Sequence, residues 1–191
     1  MTIDTQTITA EHAVLATRLG DLTIVRDGDS LVGLYFPHHW YQPDPAAFGT
    51  RTARGFEDIA SQLEEYLAGT RTGFDLPIQA RGDEFQRRVW GLVSQIPYGQ
   101  TTTYGHLAWL LGGAVTAQEV GAAVGHNPLC ILIPCHRVIG STGKLTGYAG
   151  GLKRKRALLE LEQSEVIGSV GAVERVGARA SGSGDRAQPD R

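Results

Sequence analysis

The spacing of apolar residues changes character at Asp83, and that change limits the possible folds more than any other feature. Before it, HAVLATRLGDLTIVRDGDSLVGLYFP (12–37) holds two or three short β-type runs. They are broken by Gly-Asp, Asp-Gly and Asp-Ser turn signals. A proline-rich connection, HHWYQPDPAAF, follows, and then GFEDIASQLEEYLAG, with Phe56, Ile59, Leu63 and Leu67 at helical spacing and Gly69 as a stop. FDLPIQ (74–79) reads as a short extended run. From Asp83 the period is helical: DEFQRRVWGLVSQI sets Phe85, Val89, Leu92, Val93 and Ile96 on one face. TTTYGHLAWLLGG predicts a short helix entered through threonine caps and closed by Gly112 and Gly113, and TAQEVGAAVGHNP predicts a second with Thr116 as cap. Two short helices joined by a glycine-bearing turn fit a helix-turn-helix, and equally an ordinary helical hairpin. LCILIPCHRVIG is too apolar for the surface, STGKLTGYAGG is a Gly-rich loop, and LKRKRALLELEQ is a helix with Leu152, Leu158, Leu159 and Leu161 as its apolar set. The pattern predicts an α+β protein with an N-terminal part at 1–80, a mainly helical part at 81–165 and a disordered Gly/Ser/Ala/Arg tail at 166–191.

Charge follows the same boundary. Residues 1–80 carry 5 Lys/Arg against 11 Asp/Glu, whereas 81–165 carry 9 against 6. Only the second part suits a phosphate backbone, and only modestly. The N-terminus MTIDTQTITAEHAV has no apolar core, and no run approaches the roughly 20 apolar residues of a membrane helix. The expectation is a cytoplasmic protein of bacterial type with no membrane partner. Two cysteines, Cys130 and Cys135, are too few for a disulfide framework or a cysteine-based zinc cluster. His38 and His39, without further ligands nearby, read as a solvated loop, so no metal is expected.

The chemistry concentrates at Cys135 and His136. An ordinary thiol is only a few per cent thiolate at neutral pH, and a neighbouring base raises that fraction. Neighbours in an extended segment point to opposite faces, so a contact between them needs a bridging water. An imidazole acting as base also needs a third group to orient it, and Glu160, Glu162 and Glu165 are all candidates. The inert alternative, a small apolar packing group, stays open for Cys135 and is the simplest reading of Cys130, between Leu129 and Ile131.

GHNPLCILIPCHRV, followed by GYAGGLKRKRALLELE, closely resembles the active-site region of the O6-alkylguanine-DNA alkyltransferases. The likeness runs from about Phe85 to Glu162 and continues more loosely through FDLPIQARGDEFQRRVW and IPYGQTTTYGHLA. It implies a ribonuclease H-like N-terminal domain and a winged-helix-like C-terminal domain. The implied activity is DNA repair by direct damage reversal, a single-turnover methylated-DNA–protein-cysteine S-methyltransferase. Cys135 would be the irreversible alkyl acceptor, His136 would take its proton through water, and Glu162 would orient His136. Tyr104 would hydrogen-bond the flipped base, and Asn127 would link the helix-turn-helix to the reactive segment. Backbone groups at Cys135 and Val138 would read the guanine amine, and Tyr148 and Ala149 would cover the base. Gln118, Gly121, Ala122, Ala123 and Arg137 would face DNA. The partner would be double-stranded DNA containing O6-alkylguanine, met by a protein that is monomeric in solution and able to place several copies on DNA. Neither a metal nor an organic cofactor is required.

One departure from the family pattern stands out. Its recognition helix usually carries an arginine that fills the gap left by the flipped base; here that position is Gln118, followed by Glu119. Glutamine brings no charge to the phosphates, and glutamate repels them. Three readings are open: a substitute wedge, a substrate other than intact duplex, or an impaired or engineered variant. Two other functions compete, transfer to the protein from a small molecule or free base, and non-catalytic binding of alkylated DNA, against which Cys135 argues. The KRKR run at 153–156 reads as a solvated helix start, with phosphate contact as the lesser alternative.

Overall fold

A computed structural model describes residues 10–163. The expected tail and Glu165 lie outside the described residues. Strands β1 (Ala10–Leu15), β2 (Leu22–Asp27) and β3 (Ser30–Tyr35) form an antiparallel meander, and β4 (Thr50–Arg51) adds parallel to β1, giving the order β3-β2-β1-β4. The β2–β3 turn closes on Gly28 and Asp29, with Gly28 at φ +58°, a conformation that costs glycine nothing.

Both faces of this sheet are covered. Leu22, Ile24, Leu31 and Leu34 pack with Ile59, Leu63, Tyr66 and Leu67 of helix α1 (Glu57–Ala68). On the other face Ala10, Val25, Val32 and Tyr35 enclose Phe48, delivered by a 3-10 turn at Pro45–Phe48. The connection 38–48 is therefore structured, and His39 is not solvated as expected. It is 5% exposed, and its Nδ1 accepts from Tyr41 N–H at 3.3 Å. Burial pushes its imidazole down to about 4, so the ring is neutral. Among the described residues no group of three or more potential ligands could hold a metal, and no helix is long and apolar enough to cross a membrane.

Helices α2 (Glu84–Ser94), α3 (Tyr104–Leu110) and α4 (Ala117–Gly125) follow the sequence-based boundaries because each start is encoded locally. Asp83 with Gln86, and Thr116 with Glu119, form capping boxes, and Thr103 accepts from His106 N–H. Helix α5 covers 152–163. Leu158 and Leu159 are buried as expected, while Leu152 is 49% exposed at the first turn.

Long-range pairing fixes the rest. Strand β5 (Thr102–Thr103) lies parallel to β6 (Val138–Ile139), tying the entry of α3 to the segment after Cys135. The outer edge of β3 is closed by backbone bonds from Leu34 N–H to Pro128 O (2.8 Å) and Cys130 N–H to Leu34 O (3.1 Å). The N-terminal sheet thus grips the segment leading to Cys135 directly, and one apolar core runs through both parts of the chain.

Candidate active site

Cys135 opens a 3-10 turn, Cys135–Arg137, immediately after Pro134. The expected extended conformation is corrected here. In a 3-10 turn successive side chains splay by about 120° rather than alternating, so Cys135 and His136 diverge to different neighbours. Just upstream, Ile131 adopts φ +72°, unusual for a β-branched residue, where the chain doubles back between β3 and the turn.

Asn127, 1% exposed, organises this segment from the end of α4. Its Oδ1 accepts from Leu129 N–H (3.0 Å); its Nδ2 donates to Ile133 O (2.9 Å) and to Cys135 Sγ (3.1 Å). The thiol of Cys135 is shifted below its ordinary range, first by a hydrogen bond from the Cys130 thiol, then by Asn127 and by the positive charge of Lys155, against the opposing effect of burial. Cys130 moves the other way, held protonated by its bond to Cys135 and by burial. Cys130 is fully buried, as the packing reading expects, and it also favours the thiolate beside it.

His136 is wholly buried, with Nε2 2.7 Å from Glu162 Oε1, while Nδ1 has no partner among the described residues. Burial, the largest effect, pushes the imidazole down. A neutral ring donating Nε2–H to a carboxylate presents a bare lone pair at Nδ1, as a proton acceptor requires. The candidate carboxylate of Glu162 is in contact with this imidazole. It also accepts from Gly99 N–H (3.0 Å) and from Arg137 (Nε 3.0 Å to Oε2, Nη2 2.9 Å to Oε1). Despite its burial, bonds from His136 and Arg137 pull its carboxyl down to about 2, so it stays ionised.

Arg137 requires a correction. Grouped with the DNA-facing residues, it is instead 7% exposed, holding Glu162 and donating to Ile96 O at 2.6 Å. A buried carboxylate needs a compensating cation, and this turn aims the guanidinium inward. Ala123 also faces the core: it is 3% exposed and its carbonyl accepts the Trp90 indole N–H at 2.8 Å. Gln118 and Ala122 are exposed on α4, while the Gly121 backbone lies against the Tyr104 ring, leaving a Cβ there 3.7 Å from it. Glu119 is occupied in the cap, accepting from Thr116 N–H at 2.7 Å.

Tyr104, at the start of α3, donates to Thr146 O (3.2 Å) or Gly147 O (3.3 Å) of the Gly-rich loop. Tyr148 and Ala149 of that loop are buried, Tyr148 tilted against Phe36 from the N-terminal part. Val138 is fully buried, and its carbonyl accepts from Lys155. With the loop in this position Cys135 is only 4% exposed.

Sequence reasoning missed two residues. Lys155, read as part of a solvated run, is fully buried, and its Nζ donates to Val138 O (2.6 Å), Thr146 O (2.8 Å) and Gly147 O (3.3 Å). The signal was present in the periodicity: 155, 158, 159 and 162 fall on one helical face. Burial lowers its ammonium to about 8. Lys155→Met is expected to slow single-turnover thiol alkylation by about tenfold, since the loop loses its clamp and the thiolate its nearby cation. The decline in wild-type rate expected as pH rises through about 8 should vanish in that variant. Rate–pH profiles of both proteins check this. The second missed residue, Tyr66, sits among the apolar positions of α1 and gave no polar signal.

Two family models match the chain: the DNA binding domain of 6-O-methylguanine DNA methyltransferase over residues 84–164 and its ribonuclease-like domain over residues 11–80. The methylated-DNA–protein-cysteine methyltransferase of Mycobacterium bovis is 47% identical over 153 residues, 80% of this chain and 92% of that protein. The crystal structure of Mycobacterium tuberculosis O6-methylguanine methyltransferase superposes with a TM-score of 0.75 at 44% identity, covering 82% of this chain and 94% of the other. Mycobacterium tuberculosis OGT in complex with DNA gives 0.75 at 42% identity, covering 81% and 94%.

Proposed function

The chain belongs to the 6-O-methylguanine DNA methyltransferase family and is a DNA-repair alkyltransferase, and from that premise we propose that Cys135 is the acceptor and O6-alkylguanine in DNA the substrate. The observation that carries this reading is a buried thiol held 3.1 Å from Asn127 Nδ2 on a turn whose next residue is paired at 2.7 Å with a buried carboxylate.

The chemistry follows from those positions. The Cys135 proton passes through a water to Nδ1 of His136, and the resulting imidazolium is stabilised by Glu162. Sulfur attacks the alkyl carbon in line; the carbon–sulfur bond forms as the carbon–O6 bond breaks, and its electron pair leaves on guanine. Tyr104 donates to the departing base, which takes up a proton from water to become neutral guanine, while the imidazolium returns the thiol proton to water. The product is a thioether with no return path to thiol, so one molecule repairs one lesion.

The closed loop adds a requirement. The Tyr104 hydroxyl is engaged with Thr146 and Gly147 carbonyls, and the thiol is covered. An incoming base must displace residues 146–149 and take over the Tyr104 donor. Tyr148 and Ala149 then lie over the base, and Val138 O keeps a second lone pair for its amine. Exposed Gln118 and Ala122 face the DNA. This reading makes the protein cytoplasmic and monomeric before it meets DNA.

The test is to incubate the protein with O6-methylguanine in duplex, in single strands and as free base, and to weigh the peptide holding Cys135. One added methyl from duplex supports the reading. Gain only from the free base favours a small-molecule alkyltransferase, and binding without gain a lesion sensor. Gln118→Arg, tested in parallel, should raise duplex affinity several-fold and steepen its salt dependence by about one counterion. The free-base reaction should not change.

A further inference from the structure

Glu162 receives its donors from several directions, and one comes from the N-terminal part of the chain. Tyr66, on α1, is fully buried, with its hydroxyl 2.5 Å from Glu162 Oε1 and 3.4 Å from His136 Nε2. Its ring is wedged between Phe74, at 5.0 Å, and Tyr98, edge-on at 5.9 Å, so the hydroxyl has one position.

We propose that Tyr66 is a positioning residue of the transfer site, fixing the carboxylate oxygen that faces His136 and limiting the negative charge that oxygen offers to the imidazole. The proposal rests on the reading of Cys135 as acceptor. Burial and the adjacent Glu162 push the Tyr66 phenol well above its usual range, so it keeps its proton and acts as donor. Its O–H and the Nε2–H of His136 share one oxygen, and each weakens the other's claim on it. Glu162 favours imidazolium, while burial, Arg137 and Lys155 oppose it; the Cys135 thiol lies on the preceding residue. Tyr66 tips this balance toward the neutral ring, leaving Nδ1 free to accept the thiol proton. The ribonuclease-like part therefore does more than scaffold: it tunes a proton acceptor carried by the other part.

The test is Tyr66→Phe, with single-turnover methyl transfer to Cys135 followed across the pH range. Loss of the phenol donor leaves more charge on Oε1, stabilises imidazolium and moves the acid limb up by about one pH unit. The variant is then about tenfold slower on the acidic side and close to wild type on the plateau between that limb and the decline near pH 8. A uniformly scaled rate with an unmoved limb overturns the proposal, because lost packing alone would give that result. Should the phenylalanine variant fail to fold, 3-fluorotyrosine at position 66, nearly isosteric and a stronger donor, should move the limb down; no movement overturns the proposal. If the wild-type protein takes up no methyl at Cys135, the underlying reading fails. If wild type reacts and neither variant shifts its limb, only the role of Tyr66 fails.

Discussion

Cys135→Ser is expected to abolish methyl uptake, reducing single-turnover transfer by at least roughly a thousandfold. A serine hydroxyl is smaller and less polarisable than a thiol, and no group in this site brings it near ionisation at neutral pH. The surroundings that favour a thiolate, the Cys130 thiol, Asn127 and Lys155, act by partial charges and one cation. They shift an acid of ordinary pKa near 8.5 usefully, whereas an alcohol lies far out of their reach. The fold should survive, because the smaller oxygen still accepts from Asn127 and leaves no large void. Duplex affinity should stay within about threefold of wild type, since positioning contacts to the backbone carry most of it. Intact mass after incubation with lesion-bearing duplex, read beside a binding titration, separates the two effects. A variant that still gains a methyl would place the acceptor elsewhere and remove the basis of the proposed function.

The second large effect is on stability. Glu162 is fully buried and binds Tyr66, Gly99, His136 and Arg137, so it joins α1, the 97–99 turn, the Cys135–Arg137 turn and α5. Glu162→Gln leaves the Arg137 guanidinium buried without a counter-charge and sets an amide among donors. The expected cost is about 3–5 kcal/mol, equivalent to a fall in Tm of about 10 °C for a chain of this size. The wild-type protein should show the same coupling through pH. The Glu162 carboxyl is depressed from 4.5 to about 2 on folding. Its contribution is therefore fully present above about 4.5 and lost as pH falls toward 2, a loss of about 3 kcal/mol. Urea melts at neutral and acid pH, run on both proteins, check this. The variant should be less stable at neutral pH and lack this part of the acid-induced loss. Activity should fall as well, because His136 loses the carboxylate that keeps its proton on Nε2.

The sequence by itself determined the local elements and the contiguous motif that carries the proposed acceptor. The strand runs and the helix before Asp83, the helices after it, and the caps at Asp83, Thr103 and Thr116 are set by residues within one turn of each other. The Cys135–His136 pair, its setting after Pro134, and Asn127 were equally legible, because the motif is contiguous. Side-chain direction was not. Arg137 was expected at DNA and turns inward; Ala123 belongs to the core; Lys155 was read as solvated and is buried against three carbonyls. Tyr66 reaches Glu162 across 96 residues of chain. Tertiary structure decided these because a charge leaves water only when a partner is already held in place to compensate it. Hydrogen bonds that start a helix close within a few residues, whereas the groups that neutralise a buried carboxylate come from whichever segments the fold packs beside it.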